Sequence, residues 1–158
     1  MKTALAIVLV LLLAACESRP RGPAPLERDD ACSSCRMLIS ERRYAAELID
    51  HPGEIYKFDD IACMLRFAHA HGMQQSGAKF YVTDYASGNH WLDAGQAYFV
   101  RLKSSVSSPM ASGIVAFAAA SSAVRASGQK EGPITFTELW AKDISATSTG
   151  AAPEPTRK

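Results

Sequence analysis

Residues 43–72 read RYAAELIDHPGEIYKFDDIACMLRFAHAHG, and this stretch decides the fold. Its first eight residues, 43–50, alternate well enough for a strand. His51-Pro52-Gly53-Glu54 is turn chemistry, and residues 55–58 resume as a second strand. Asp59 or Asp60 then caps a helix that runs to about His71 and is stopped by Gly72. Ile61, Met64, Leu65 and Ala68 fall at helical spacing and form its apolar stripe. Residues 79–84 follow as a strand.

Downstream the same order returns more weakly. Residues 97–103 read as a strand, followed by a loop holding Pro109-Met110 and a strand at 113–117. A small-residue helix at about 118–127, a turn at 128–132 and a short strand at 134–136 complete the repeat. Strand-strand-helix-strand thus occurs twice, in residues 31–84 and 85–144. Neither unit covers both faces of its own sheet, so the prediction is an α+β domain of two ββαβ halves packed together. Residues 16–30 are rich in Pro, Gly and charge and read as a flexible tether, while residues 145–158 read as a disordered tail.

The N-terminus predicts export. Lys2 supplies a positive start, residues 4–13 are an unbroken apolar run, and small residues follow, so residues 1–15 read as a cleaved signal peptide too short to span a bilayer. Leu13-Ala14-Ala15-Cys16 resembles the bacterial lipobox, which makes Cys16 the acylated first residue of the mature chain. A diacylglycerol group plus an N-acyl chain meets the requirement of more than one chain for stable anchoring. The expected location is a membrane surface facing the periplasm, and Glu17 rather than aspartate after the cysteine favours the outer membrane. A net charge of +1 with scattered basic residues leaves no electrostatic footprint for nucleic acid. No nucleophile–base pair for hydrolase or transferase chemistry is discernible, so the chain does not read as an enzyme of those classes.

The chemistry lies in sulfur. Of four cysteines, Cys16 is assigned to lipid, which leaves Cys32, Cys35 and Cys63, an odd set that cannot pair completely. Cys32-Ser33-Ser34-Cys35-Arg36-Met37 and Ser107-Ser108-Pro109-Met110 are two loop-like sulfur clusters far apart in the chain. Thiolates and thioethers are soft donors that favour Cu(I), and a thioether binds without losing a proton. The residues alone leave three other uses of Cys32 and Cys35 open. Structural zinc wants about four ligands at matched spacing. A thioredoxin-type centre should sit between a strand and a helix. The blandest option is a local disulfide. Met64 lies on the helix stripe as core, whereas Met110 falls outside any apolar period and Met37 is intermediate. Cys63 reads first as a small buried residue against the sheet, although a helix N-terminus favours a thiolate there. His69 and His71 suit the dipole and carbonyls at a helix end, and His51 and His90 sit in turns.

Together these pieces resemble the NosL family, lipoproteins that assist copper-site assembly in nitrous-oxide reductase. The resemblance rests on the lipobox, on Cys32-x-x-Cys35-x-Met37, and on Phe58-Asp59-Asp60-Ile61-Ala62-Cys63-Met64. It extends to Pro109-Met110 with Ser112-Gly113-Ile114-Val115-Ala116-Phe117. Arg36 departs from the glycine expected in many relatives and places a cation beside the thiols. The resemblance implies a Cu(I) chaperone whose two halves are similar in topology to the organomercurial lyase core, with Cys32, Cys35, Met37 and Met110 as copper ligands. It also implies an ABC-transporter complex with a periplasmic copper-accepting subunit as client, and nitrous-oxide reductase as the eventual recipient. The competing reading is a periplasmic thiol-disulfide oxidoreductase using Cys32 and Cys35. An envelope-interaction lipoprotein without metal comes third.

Overall fold

The structure is a computed structural model and describes residues 22–51, 53–102, 108–128 and 132–149. The expected signal segment 1–15, Cys16, Ser107 and residues 150–158 of the expected tail lie outside the described residues. Among the described residues no helix is long and apolar enough to cross a membrane.

Residues 43–72 fold as a strand pair followed by a helix. β1 (Ala46–Ile49) pairs antiparallel with β2 (Ile55–Phe58), Ala46 opposite Phe58 and Ile49 opposite Ile55. The first strand starts three residues later than its alternation suggests, because Arg42–Tyr44 closes a 3-10 turn instead. All four β1 residues are buried, so neither face is solvated. α1 (Ile61–Ala70) buries Ile61, Met64, Leu65 and Ala68, the expected stripe, together with Ala62 and Cys63. β3 (Lys79–Thr83) pairs with the other side of β1, which makes β1 the centre of the sheet. A short strand not anticipated from sequence, β4 (Trp91–Asp93), adds to β3 and completes the order β2-β1-β3-β4.

The back half uses the same pairing on a smaller scale. β5 (Tyr98–Arg101) pairs antiparallel with β6 (Ile114–Phe117), and α2 (Ala120–Ala126) follows. The strand expected at 134–136 is reduced to one bridging residue, Ile134, which exchanges backbone hydrogen bonds of 2.9 Å each way with Phe99 on β5. Thus β5, like β1, lies between two antiparallel partners, an arrangement compatible with two related halves. α3 (Phe136–Thr149) then replaces the end of that strand and the start of the expected tail, running beyond residue 144. Thr135 and Glu138 explain the switch. The Thr135 amide donates to the Glu138 carboxylate at 2.7 Å and the Glu138 amide donates to Thr135 Oγ1 at 3.4 Å, the reciprocal cap that opens a helix.

One core unites the halves. Leu48, Phe58, Ile61, Met64 and Leu65 from the front pack in a single cluster with Phe99, Ile114, Leu139 and Trp140 from the back. The sheets meet where the Tyr85 amide donates to the Ala116 carbonyl at 2.8 Å, beside a parallel bridge between Asp84 and Ala116.

The segment read as a tether is only partly free of the fold. The Ala24 amide donates to both Glu47 oxygens at 2.9 and 3.1 Å, Lys57 Nζ donates to the Pro25 carbonyl at 2.8 Å, and Arg42 donates to the Leu26 carbonyl at 2.8 Å. Lys57 also pairs with Asp30 at 2.6 Å. Residues 24–30 therefore form a strap across the outer face of the sheet, and Glu47, fully buried beneath it, is the reason. A buried carboxylate requires donors, and the strap backbone supplies one.

Candidate metal centre

Two chain segments build the cluster, and a third is tied to it. The first is a tight loop at residues 31–38, closed by an Ala31–Leu38 bridge. Inside it the Cys32 amide donates to the Met37 carbonyl at 2.8 Å and the Arg36 amide donates to the Cys32 carbonyl at 2.9 Å. Arg36 turns the chain with φ of 66°, a left-handed conformation that glycine takes without strain. The Ser33 amide donates to the Lys57 carbonyl at 2.7 Å and staples the loop to β2.

The second segment is the start of α1. The Asp59-Asp60 doublet divides its work. Asp60 is the cap, its Oδ1 accepting from the Ala62 amide at 2.8 Å. Asp59 is left over for the site: its Oδ2 accepts from Cys35 Sγ at 3.5 Å, while its Oδ1 is buried with no partner among the described residues. Cys63 stands in the first turn of α1, fully buried.

The third segment is the loop before β6, and Asp60 holds it. Asp60 accepts from the Met110 amide at 3.3 Å and from Ser112 Oγ at 2.7 Å. Gly113 fixes the far end: its φ is 65°, and a Cβ there would lie 2.6 Å from the Leu102 carbonyl oxygen. Ala111, next to Met110, is with Arg36 the other non-glycine residue of positive φ among the described residues, at 54°.

The sulfurs of Cys32, Cys35 and Cys63 and a carboxylate oxygen of Asp59 all lie within 4.8 Å of one another. All three thiols are free. The Cys63 thiol donates to the Cys32 sulfur and, against the effect of burial, draws its pKa down to about 6. That same hydrogen bond, together with burial, pushes the Cys63 thiol up. Burial raises Cys35 as well, with the facing charges of Cys32 and Asp59 adding to the effect. The nest thus favours a thiolate at Cys32, while Cys35 and Cys63 hold their protons more tightly.

The fold therefore brings Cys32 and Cys35 together, as the spacing predicts, and adds Cys63 and Asp59, which sequence reasoning placed in the core and in a cap. The doublet itself carried a signal, since one helix start employs one capping carboxylate and leaves the other available. The two methionines stand on the flanking loops with exposed side chains, Met37 at 52% and Met110 at 36%. Met64 is core, fully buried. The helix-end histidines are engaged elsewhere: His71 Nδ1 lies 2.8 Å from the Phe67 carbonyl oxygen, and His69 meets Asp143 at 3.5 Å and packs edge-on to Trp140.

A donor set of three thiols suits a soft, thiophilic ion. Comparison with known proteins leads to the same place. The fold is that of the crystal structure of the copper chaperone NosL from Shewanella denitrificans, with a TM-score of 0.65 and 22% identity over 75% of this chain and 96% of that one. No curated protein matches the chain. The NosL family model matches residues 23–146, which takes in all three site segments, and the chain belongs to the NosL family.

Proposed function

We propose that this protein is a Cu(I) metallochaperone, held at a membrane surface through lipidated Cys16 and facing the periplasm. Copper is its cargo, passed to a periplasmic copper-accepting subunit of an ABC-transporter complex and so toward assembly of the copper centres of nitrous-oxide reductase. The observation that carries the reading is the convergence of Cys32, Cys35 and Cys63 within 4.8 Å in a NosL-family chain. Cu(I) is satisfied by two or three soft donors. Cys32 and Cys35 supply thiolates, and Met37 and Met110 at the exposed rim supply thioethers that an acceptor can replace one at a time.

Membrane attachment and the identity of the acceptor rest on the sequence: the apolar run ending in Leu13-Ala14-Ala15-Cys16, and the family resemblance. The oxidoreductase alternative is weaker, because a redox nucleophile must be reached by a protein disulfide and Cys32 is fully buried. Titration of the reduced protein with Cu(I) against a competing chelator tests the reading. The parent should bind tightly, and Cys32→Ser, Cys35→Ser and Met110→Ala should each weaken binding at least tenfold. If Cys35→Ser and Met110→Ala both bind like the parent, this ligand set is wrong. Insulin reduction lost in Cys32→Ser would revive the oxidoreductase.

A further inference from the structure

Arg66 is exposed, and among the described residues its guanidinium pairs with no carboxylate. Its Nη2 donates instead to Cys63 Sγ at 3.3 Å, one helical turn back on α1, and among the described residues this sulfur is its one recorded hydrogen-bond partner. Cys63 is fully buried, so a surface side chain reaches inward to meet an inner donor of the nest. We propose that Arg66 is a positioning residue that retains the cargo, fixing the third sulfur and offsetting the negative charge of the loaded site.

The inference rests on the copper-carrier reading and deepens it. With the Cys32 and Cys35 thiolates and the Asp59 carboxylate around a monovalent ion, the loaded site is net negative. Asp59 contributes to that burden with one buried oxygen that has no partner. A cation at hydrogen-bond distance from one sulfur lies near all four donors, because the donors lie within 4.8 Å of one another. In a partly buried setting such a charge-assisted contact is stronger than a neutral one. Arg66 is exposed on α1, so an acceptor reaches it without unfolding the helix. Drawing the guanidinium off Cys63 would weaken the hold on copper, which links release to docking.

The test uses the full reduced chain and Cu(I) itself, with a chromophoric Cu(I) chelator as competitor and acceptor. Arg66→Gln should lower Cu(I) affinity on the order of tenfold and speed release to the chelator by a similar factor. Arg66→Lys should recover most of both, because it restores the positive charge. Arg125→Gln, an exposed arginine on α2 bonded to Ser122, should match the parent. Thermal melts of the copper-free variants should coincide with the parent, which separates retention from folding. Parent-like affinity and release in Arg66→Gln would overturn the inference while leaving the chaperone reading intact. So would an Arg66→Lys protein as weak as Arg66→Gln. A parent that binds no Cu(I) would overturn both.

Discussion

Cys63 and Arg36 show what one residue's surroundings decide. A cysteine in the first turn of a helix reads as a small apolar side chain, and Cys63 is indeed buried within the core cluster. What sequence does not reveal is that its neighbour there is Cys32, brought from a loop before the first strand. Local periodicity reports which face of α1 is buried, not which foreign side chain meets it. The pair Cys32 and Cys35 was legible because its geometry is set within one turn. Arg36 was legible as a departure, and its φ of 66° gives the departure a physical consequence. A side chain in that region carries strain that glycine lacks, partly offset by the greater freedom of glycine in the unfolded chain. Arg36→Gly should therefore stabilise the copper-free protein by about 0.5–1 kcal/mol. The midpoint of urea unfolding measures this. A lower midpoint would mean that the arginine side chain makes contacts worth more than the strain.

Among the elements, α1 was predictable nearly to its ends because stripe, cap and stop signal agree. α3 was not, although Thr135-x-x-Glu138 is a helix-start signature: residues 134–136 read as a short strand, and the Ser, Thr and Ala from residue 145 on read as tail. Tertiary contact decided the matter, since Leu139 and Trp140 bury against the shared core. β4 went unread because three residues are too few for a period. The start of α1 is also where the two halves of the site are joined. Asp60 caps the helix and at the same time accepts from the Met110 amide and Ser112 Oγ, so one fully buried side chain serves two elements. Asp60→Ala removes a cap worth about 1 kcal/mol and leaves two further donors without their carboxylate, for a combined loss of about 3 kcal/mol. Chemical denaturation should show that loss, with Asp60→Asn falling less because it keeps one acceptor. Copper affinity should drop in Asp60→Ala even under conditions where the protein remains folded, because the Met110 loop is no longer pinned. Unchanged affinity would remove that loop from the site.

At the scale of the molecule, the copper site and the strap are both products of long-range closure. The strap reads as a tether because its composition offers almost nothing apolar to bury; polar contacts to Glu47, Lys57 and Arg42 hold residues 24–30 of it to the fold. Burial pushes the Glu47 carboxyl above the usual carboxylate range despite the Ala24 amide. The sign follows: the folded state favours the protonated acid, so this group's contribution is fullest below its ordinary pKa of about 4.3 and declines as pH rises through the raised value. Glu47→Gln lacks that decline, so its stability relative to the parent should be higher at pH 7 than at pH 4, as read by urea unfolding at the two values. An equal difference at both would place the carboxylate in a solvated setting. Copper would act on long-range closure too. The candidate ligands come from a loop before β1 and from the start of α1, with the Met110 loop tied to them through Asp60, so an ion that gripped them all would oppose unfolding as a whole. Ligand present at a hundredfold excess over its dissociation constant stabilises by about 2.7 kcal/mol, less whatever unfolded cysteines bind. For a domain of this size that corresponds to a rise of roughly 10 °C in the thermal midpoint. Cys32→Ser and Cys63→Ser should both lose most of the rise while keeping a cooperative melt without copper. If copper lifts the midpoint of the Cys63→Ser protein as far as that of the parent, the third sulfur is core packing and nothing more. The loop pair Cys32 and Cys35, helped by the rim thioethers, would then hold the ion alone.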